Sequence, residues 1–154
     1  MNLLLDTGIL GQLCHPVKSR YQALQDWLNE FLRTKKPERR VFLPEICDYE
    51  LRRKLLHLVR KGQASNKSLR HLDDLSTLFE YLPLDTAIML KAAELWADAR
   101  SRGLPTARDE SLDADAILAA QAIAVGGTII TSNRKHLAQF VAVKEWTELT
   151  AESL

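Results

Sequence analysis

The chain has 154 residues, 46% of them hydrophobic and 27% charged, which supplies one globular core over residues 1–154 and leaves no material for a second independent domain. Its 21 Lys and Arg against 20 Asp and Glu give a net charge of +1, so no overall field favours a polyanion and any nucleic-acid site must be a local patch. The two cysteines, Cys14 and Cys47, sit in apolar surroundings without metal-ligand spacing and read as free core thiols rather than a disulfide, which points to a reducing cytoplasm.

In chain order, Leu3 to Leu5 form a short apolar run that reads as a buried strand, closed by Asp6, Thr7 and Gly8 as a polar turn. The run is too short for a signal-peptide core and no later stretch approaches a membrane span, so a soluble protein is expected. Leu24, Trp27, Leu28, Phe31 and Leu32 predict a helix over Ser19 to Thr34. Val41 to Leu43 is a second buried strand, and Pro44 suits the first position of a helix ending at Gly62. Glu50 borders the apolar stripe of that helix. A further helix follows over Leu69 to Phe79, then a strand over Tyr81 to Leu84, a long helix over Thr86 to Arg102 and a loop over Gly103 to Glu110. From Leu112 to Val125 nearly every residue except Asp113, Asp115 and Gln121 is apolar, which predicts a buried helix stopped by Gly126 and Gly127. Thr128 to Thr131 and Val141 to Trp146 supply the last strands, the latter at the sheet edge. Strands separated by helices argue for an α/β fold with a parallel sheet between helical layers.

In such a sheet the functional crevice lies outside the carboxyl ends of the strands, where the first strand puts Asp6. Asp115 lies at the start of a buried helix. Buried carboxylates are costly unless hydrogen-bonded, paired or bound to a cation, so several of them converging on one crevice suggest Mg²⁺ or Mn²⁺ and metal-assisted phosphodiester hydrolysis. Each acid also has a plainer reading. Asp6 could cap the next helix, Asp113 is a candidate N-cap, and Asp115 would then stand at the second helical position, where the helix dipole favours a negative charge. Glu50 could pair with Arg53 or Lys54 on a solvated face.

Four segments carry a resemblance to a known family. LLLDTGIL, from Leu3 to Leu10, resembles the opening strand and acidic turn of PIN domains, especially those of VapC-like toxins. LPEICDYELRR, from Leu43 to Arg53, is similar to the family's second acidic segment and aligns Glu50 with its helix carboxylate. In DADAILAAQA, from Asp113 to Ala122, Asp115 matches the acid before the family's small-residue helix, and TSNRKHL, from Thr131 to Leu137, resembles the final segment.

The resemblance implies a three-layer α/β/α fold, Mg²⁺- or Mn²⁺-dependent endoribonuclease activity, the toxin role of a type II toxin–antitoxin pair, an antitoxin partner and a homodimer. It assigns Asp6 and Asp115 to the metal and Glu50 to the same acidic cluster as a ligand or water-orienting group. Asp113, Thr131, Ser132 and Asn133 stand as supporting residues, with capping ranked first for Asp113. Asn133 departs from members with aspartate there, and an amide carbonyl brings no charge to a second metal. Arg52, Arg53, His57, Arg60 and Lys61 follow Glu50, and Arg134, Lys135 and His136 follow Asn133, so both acidic segments carry cations able to meet RNA phosphates, although a solvated helix face is the favoured reading for most of them. The four histidines lack paired metal-ligand spacing.

A catalytically silent PIN-like domain that binds RNA or a protein is the rival reading. Aspartyl phosphotransfer lacks a DxDxT signature, and neither a phosphate-binding loop nor a GxGxxG turn supports nucleotide binding.

Overall fold

The computed structural model describes residues 1–33, 38–103 and 109–149. Strand β1 (Asn2–Leu5) leads into α1 (Thr7–Leu13), and a 3-10 turn over Lys18–Tyr21 runs into α2 (Gln22–Arg33). Then follow β2 (Arg40–Pro44), α3 (Glu45–Arg60), α4 (Lys67–Leu78), β3 (Glu80–Leu82), α5 (Thr86–Ser101) and α6 (Asp109–Ala124). The chain continues through β4 (Thr128–Ile130), α7 (Arg134–Leu137) and β5 (Val143–Lys144) to a 3-10 turn over Trp146–Glu148.

The strands pair in the order β3-β2-β1-β4-β5, every pairing parallel, in the three-layer α/β/α arrangement expected from the sequence. The central strand β1 is covered on both faces, which is why it is an unbroken leucine run: Leu3, Leu4 and Leu5 are fully buried. Two glycines bring β4 beside it. Gly126 takes a left-handed backbone (φ 59°) where α6 stops, and a Cβ on Gly127 would stand 3.2 Å from the Asn2 carbonyl oxygen.

Several boundaries differ from the sequence reading. Helix α1 was not foreseen, and the helix expected from Ser19 begins as a 3-10 turn before α2; Thr34 lies outside the described residues. Pro44 ends β2 and caps α3 with an extended backbone rather than occupying the first helical position. Of the loop expected over Gly103 to Glu110, residues 104–108 lie outside the described residues, while Asp109 and Glu110 already belong to α6.

The main core surrounds the sheet, and a smaller apolar cluster of Ile88, Ala92 and Ala120 joins α5 to α6. Leu24 and Phe31 of α2 are buried, and Trp27 packs at 5.8 Å from the Phe31 ring and 6.1 Å from Trp146 while its indole N–H donates to the Leu149 carbonyl at 3.3 Å. This apolar stripe is therefore part of the core. Cys14 and Cys47 are buried free thiols, as the sequence implied. Burial, reinforced by the charge of Asp48, pushes the Cys14 thiol up to about 12, and burial likewise raises Cys47, so both are inert.

A polar cluster fastens α3 to its neighbours on the side away from Glu50. Buried Asp48 accepts from the Arg52 guanidinium at 3.0 Å and from the Tyr81 hydroxyl at 3.1 Å, and Arg52 reaches Asp73 of α4 at 2.9 Å. Among the described residues, no helix is long and apolar enough to cross a membrane.

Candidate active site

Leu5 lies opposite Ile130, so the next residue of each strand, Asp6 and Thr131, emerges at the same carboxyl edge of the sheet. The Asp6 amide donates to the Ile130 carbonyl at 3.1 Å. Its side chain caps α1, Oδ1 accepting from the Ile9 amide at 2.7 Å, while Oδ2 accepts from the Thr131 hydroxyl. Thr131 Oγ1 in turn accepts the Asn133 amide at 2.9 Å. The capping reading of Asp6 is thus true, yet it occupies only one of the two carboxyl oxygens. Asp6 is 9% exposed, and burial raises its pKa. Hydrogen bonds from Thr131, Ile9 and Gly8 act against that rise, and the charge of Glu50 adds to it.

Glu50 stands in the second turn of α3, half-buried, with the Thr7 hydroxyl donating to its Oε2 at 2.6 Å. The surface pairing with Arg53 or Lys54 that the sequence allowed is not formed: no ion pair among the described residues includes Glu50, and the Arg53 guanidinium lies over the Tyr49 ring at 5.1 Å. Thr7 was missed in the sequence reading. The signal was a hydroxyl residue directly after Asp6, at the first position of a helix that was itself unforeseen.

Helix α6 begins at Asp109, which corrects the reading of Asp113 as its N-cap and places Asp115 in the helix interior rather than at its second position. Because the dipole effect fades within the first turn, it does not account for Asp115. Burial pushes the Asp115 carboxyl up to about 6; the His136 charge opposes this, and Glu50 and then Asp6 add to it. Asp6, Glu50 and Asp115, from three separate elements, are therefore within electrostatic reach of one another in all three pairs. Among the described residues, no three His, Cys, Asp or Glu side chains stand as a preformed cation cage.

The supporting residues divide. Thr131 joins the site through Asp6. Ser132 is exposed, its Oγ lying 3.9 Å from where a Cβ on Gly8 would stand. Asn133 is exposed and precedes α7 without a side-chain capping bond. Asp113 is exposed on the other side of α6, lining a cavity of about 370 Å³ with Met89, Trp96 and Ile117, so the structure does not bring it to the cluster.

The flanking cations divide too. Arg52 is engaged by Asp48 and Asp73, and Arg134 by Glu148 at 2.7 Å. Arg53, Lys54 and His57 are exposed and belong to no ion pair among the described residues.

The family model described as PIN domain matches residues 3–141. No curated protein sequence matches the chain. Among solved structures, VapBC2 from Rickettsia felis bound to a DNA fragment from its promoter aligns at a TM-score of 0.71 and 18% identity, over 95% of this chain and 99% of that one. FitAcB from Neisseria gonorrhoeae aligns at 0.70 and 24% identity, over 96% and 99%. VapC20 from Mycobacterium tuberculosis, a toxin that cleaves the sarcin–ricin loop, aligns at 0.60 and 16% identity, over 90% and 96%.

Proposed function

The chain belongs to the PIN domain family, and from that premise we propose that it is a metal-dependent endoribonuclease, the toxin of a type II toxin–antitoxin pair, using Mg²⁺ or Mn²⁺ held by Asp6, Asp115 and Glu50. One observation carries this reading: Asp6 just after β1, Glu50 of α3 and Asp115 of α6 come from separate parts of the chain to within electrostatic reach of one another, beside the carboxyl edge of a parallel sheet. Repulsion between a buried acid and two half-buried ones is a standing cost in the folded state, and a hard divalent cation is the counter-charge that suits all-oxygen donors. The set fits such an ion chemically: its donors are all oxygens, and among the described residues the cation that acts on Asp115 is His136.

When bound, the cation supplies Lewis acidity toward a phosphodiester oxygen and a more acidic attacking water. The protein's own residues do the rest. Thr131 and the Ile9 amide fix the Asp6 carboxyl, and Thr7 fixes Glu50 so that its second oxygen can orient a water. Arg53, Lys54 and His57 lie along α3 beyond Glu50, where they can hold the phosphates of the strand being cut. Asn133 stands after Thr131 as a neutral oxygen donor, which favours a single strongly held ion over two. The neighbouring structures of VapBC and FitAcB support an antitoxin partner for this chain, and the family resemblance supports a homodimer.

The test is incubation of a mixed RNA pool with purified protein in Mn²⁺, in Mg²⁺ and in EDTA, alongside an identically prepared Asp115→Asn variant. Cleavage that requires the metal and disappears in the folded variant is the expected outcome. Intact RNA under every condition, with no metal binding by calorimetry, would establish the silent binding domain instead.

A further inference from the structure

We propose that Tyr49 and Arg53 form a stacking platform for an unpaired nucleobase of the RNA strand cut at the neighbouring acidic crevice, an inference that rests on the ribonuclease reading above. Helix α3 buries Ile46, Cys47, Asp48 and Leu51, and Tyr49 lies on the opposite side, 56% exposed. Tyr81, the other exposed aromatic among the described residues, is 39% exposed and has its hydroxyl committed to Asp48. Tyr49 makes no such commitment; its ring keeps the Arg53 guanidinium 5.1 Å from its centroid.

The spacing ties this pair to the acids. Arg53 is four residues after Tyr49 and three after Glu50, so on one helix it neighbours both. The charge is complementary to a polyanion: Arg53, Lys54 and His57 are in no ion pair among the described residues, whereas Arg52, one position away, is neutralised by two aspartates. An exposed ring with a planar cation on it, one residue from a carboxylate that orients hydrolysis, suits a flanking base lifted out of a strand. Bases stack on aromatic rings and guanidinium planes only when they are unpaired, so the platform selects single-stranded segments over duplex stems. The sugar–phosphate linkage would then be drawn across Glu50.

Binding can be separated from cleavage by working in EDTA with the Asp115→Asn background, or with the wild-type chain in EDTA should that variant fail to fold. The anisotropy of a short labelled single-stranded RNA is compared with that of an abasic oligomer of equal length. Tyr49→Ala should weaken binding of the base-bearing strand about tenfold, Tyr49→Phe should retain it, and the abasic oligomer should bind weakly with no dependence on residue 49. No loss with Tyr49→Ala, or an equal loss on the abasic oligomer, overturns the platform. Metal-dependent cleavage with an unchanged KM in Tyr49→Ala would overturn the platform and leave the nuclease standing. Intact RNA together with Tyr49-dependent binding would do the reverse.

Discussion

The hydroxyl of Thr7 donates to Glu50 Oε2 at 2.6 Å, joining the first residue of α1 to the second turn of α3. Since Asp6 caps α1 immediately before it, one short segment sets the position of two acids at once.

Replacing that hydroxyl tests the linkage. Thr7→Val keeps the shape and removes the donor, leaving Glu50 free to turn toward solvent. The expected result is a loss of about 1 kcal/mol in folding stability, since the bond is only part-buried. A fall of about tenfold in kcat with KM little changed should accompany it, as for other residues that orient a ligand. Thr7→Ser should restore both. Urea denaturation and single-turnover cleavage of one RNA read the two effects separately.

Asp115 gives a pH dependence of definite sign. Its carboxyl titrates near 6 in the fold against an ordinary 3.8, so the protonated form is the one the fold favours. That contribution is complete below about pH 4 and is lost as pH rises through 6. In EDTA at pH 7, Asp115→Asn should therefore be more stable than the wild type by on the order of 1 kcal/mol, a figure reduced for solvent screening of a partly exposed group. The gap should close by pH 4. Adding Mn²⁺ at pH 7 should raise the Tm of the wild type and leave the variant unmoved. Thermal melts across this range check each arm, and a gap that widens on acidification would contradict the assignment.

The Asp48–Arg52–Asp73 cluster should matter to the fold and leave the chemistry alone. Arg52→Ala strands a buried Asp48 with only the Tyr81 hydroxyl for company, a change expected to cost about 2 kcal/mol. Because Arg52 is about one-third exposed, the cost falls below that of a fully buried pair. Converting Asp48 to Asn in the same variant should recover part of it. The kcat measured well below the melting point should match the wild type, which distinguishes this arginine from Arg53.

Much of the frame could be read from residues alone, because long apolar runs and small-residue helices leave strong patterns. Leu3 to Leu5 announce the central strand, and Asp113 and Asp115 stand out as charges at the head of the apolar stretch from Leu112 to Val125. The failures have physical causes. Helix α1 contains Gly8 and Gly11, poor helix formers, and exists because Asp6 caps it and Ile9, Leu10 and Leu13 are buried. The start of α6 is hidden because Asp109, Glu110 and Ser111 show no apolar period, so Asp113 looked like a cap. Glu50 has two cationic neighbours in sequence, Arg53 and Lys54, and tertiary folding gave it neither but Thr7, 43 positions away. The Asp48 and Arg52 pair, four residues apart, was the signal for the α3 cluster and went unused.

Strand β1 precedes the other four strands in the chain and yet occupies the middle of the sheet, flanked by β2 and by β4. The hydrogen bond that the Thr131 hydroxyl donates to Asp6, the residue after this strand, spans 125 positions. On the ribosome, at about 5–20 residues per second, on the order of ten seconds separates translation of the two partners. Between translation of Glu50 and of Asp115 the nascent polypeptide holds Asp6 and Glu50 with neither Asp115 nor Thr131 beside them. Assembly of the acidic crevice thereby waits for Thr131, and no ribosome-bound fragment ending before residue 131 contains it.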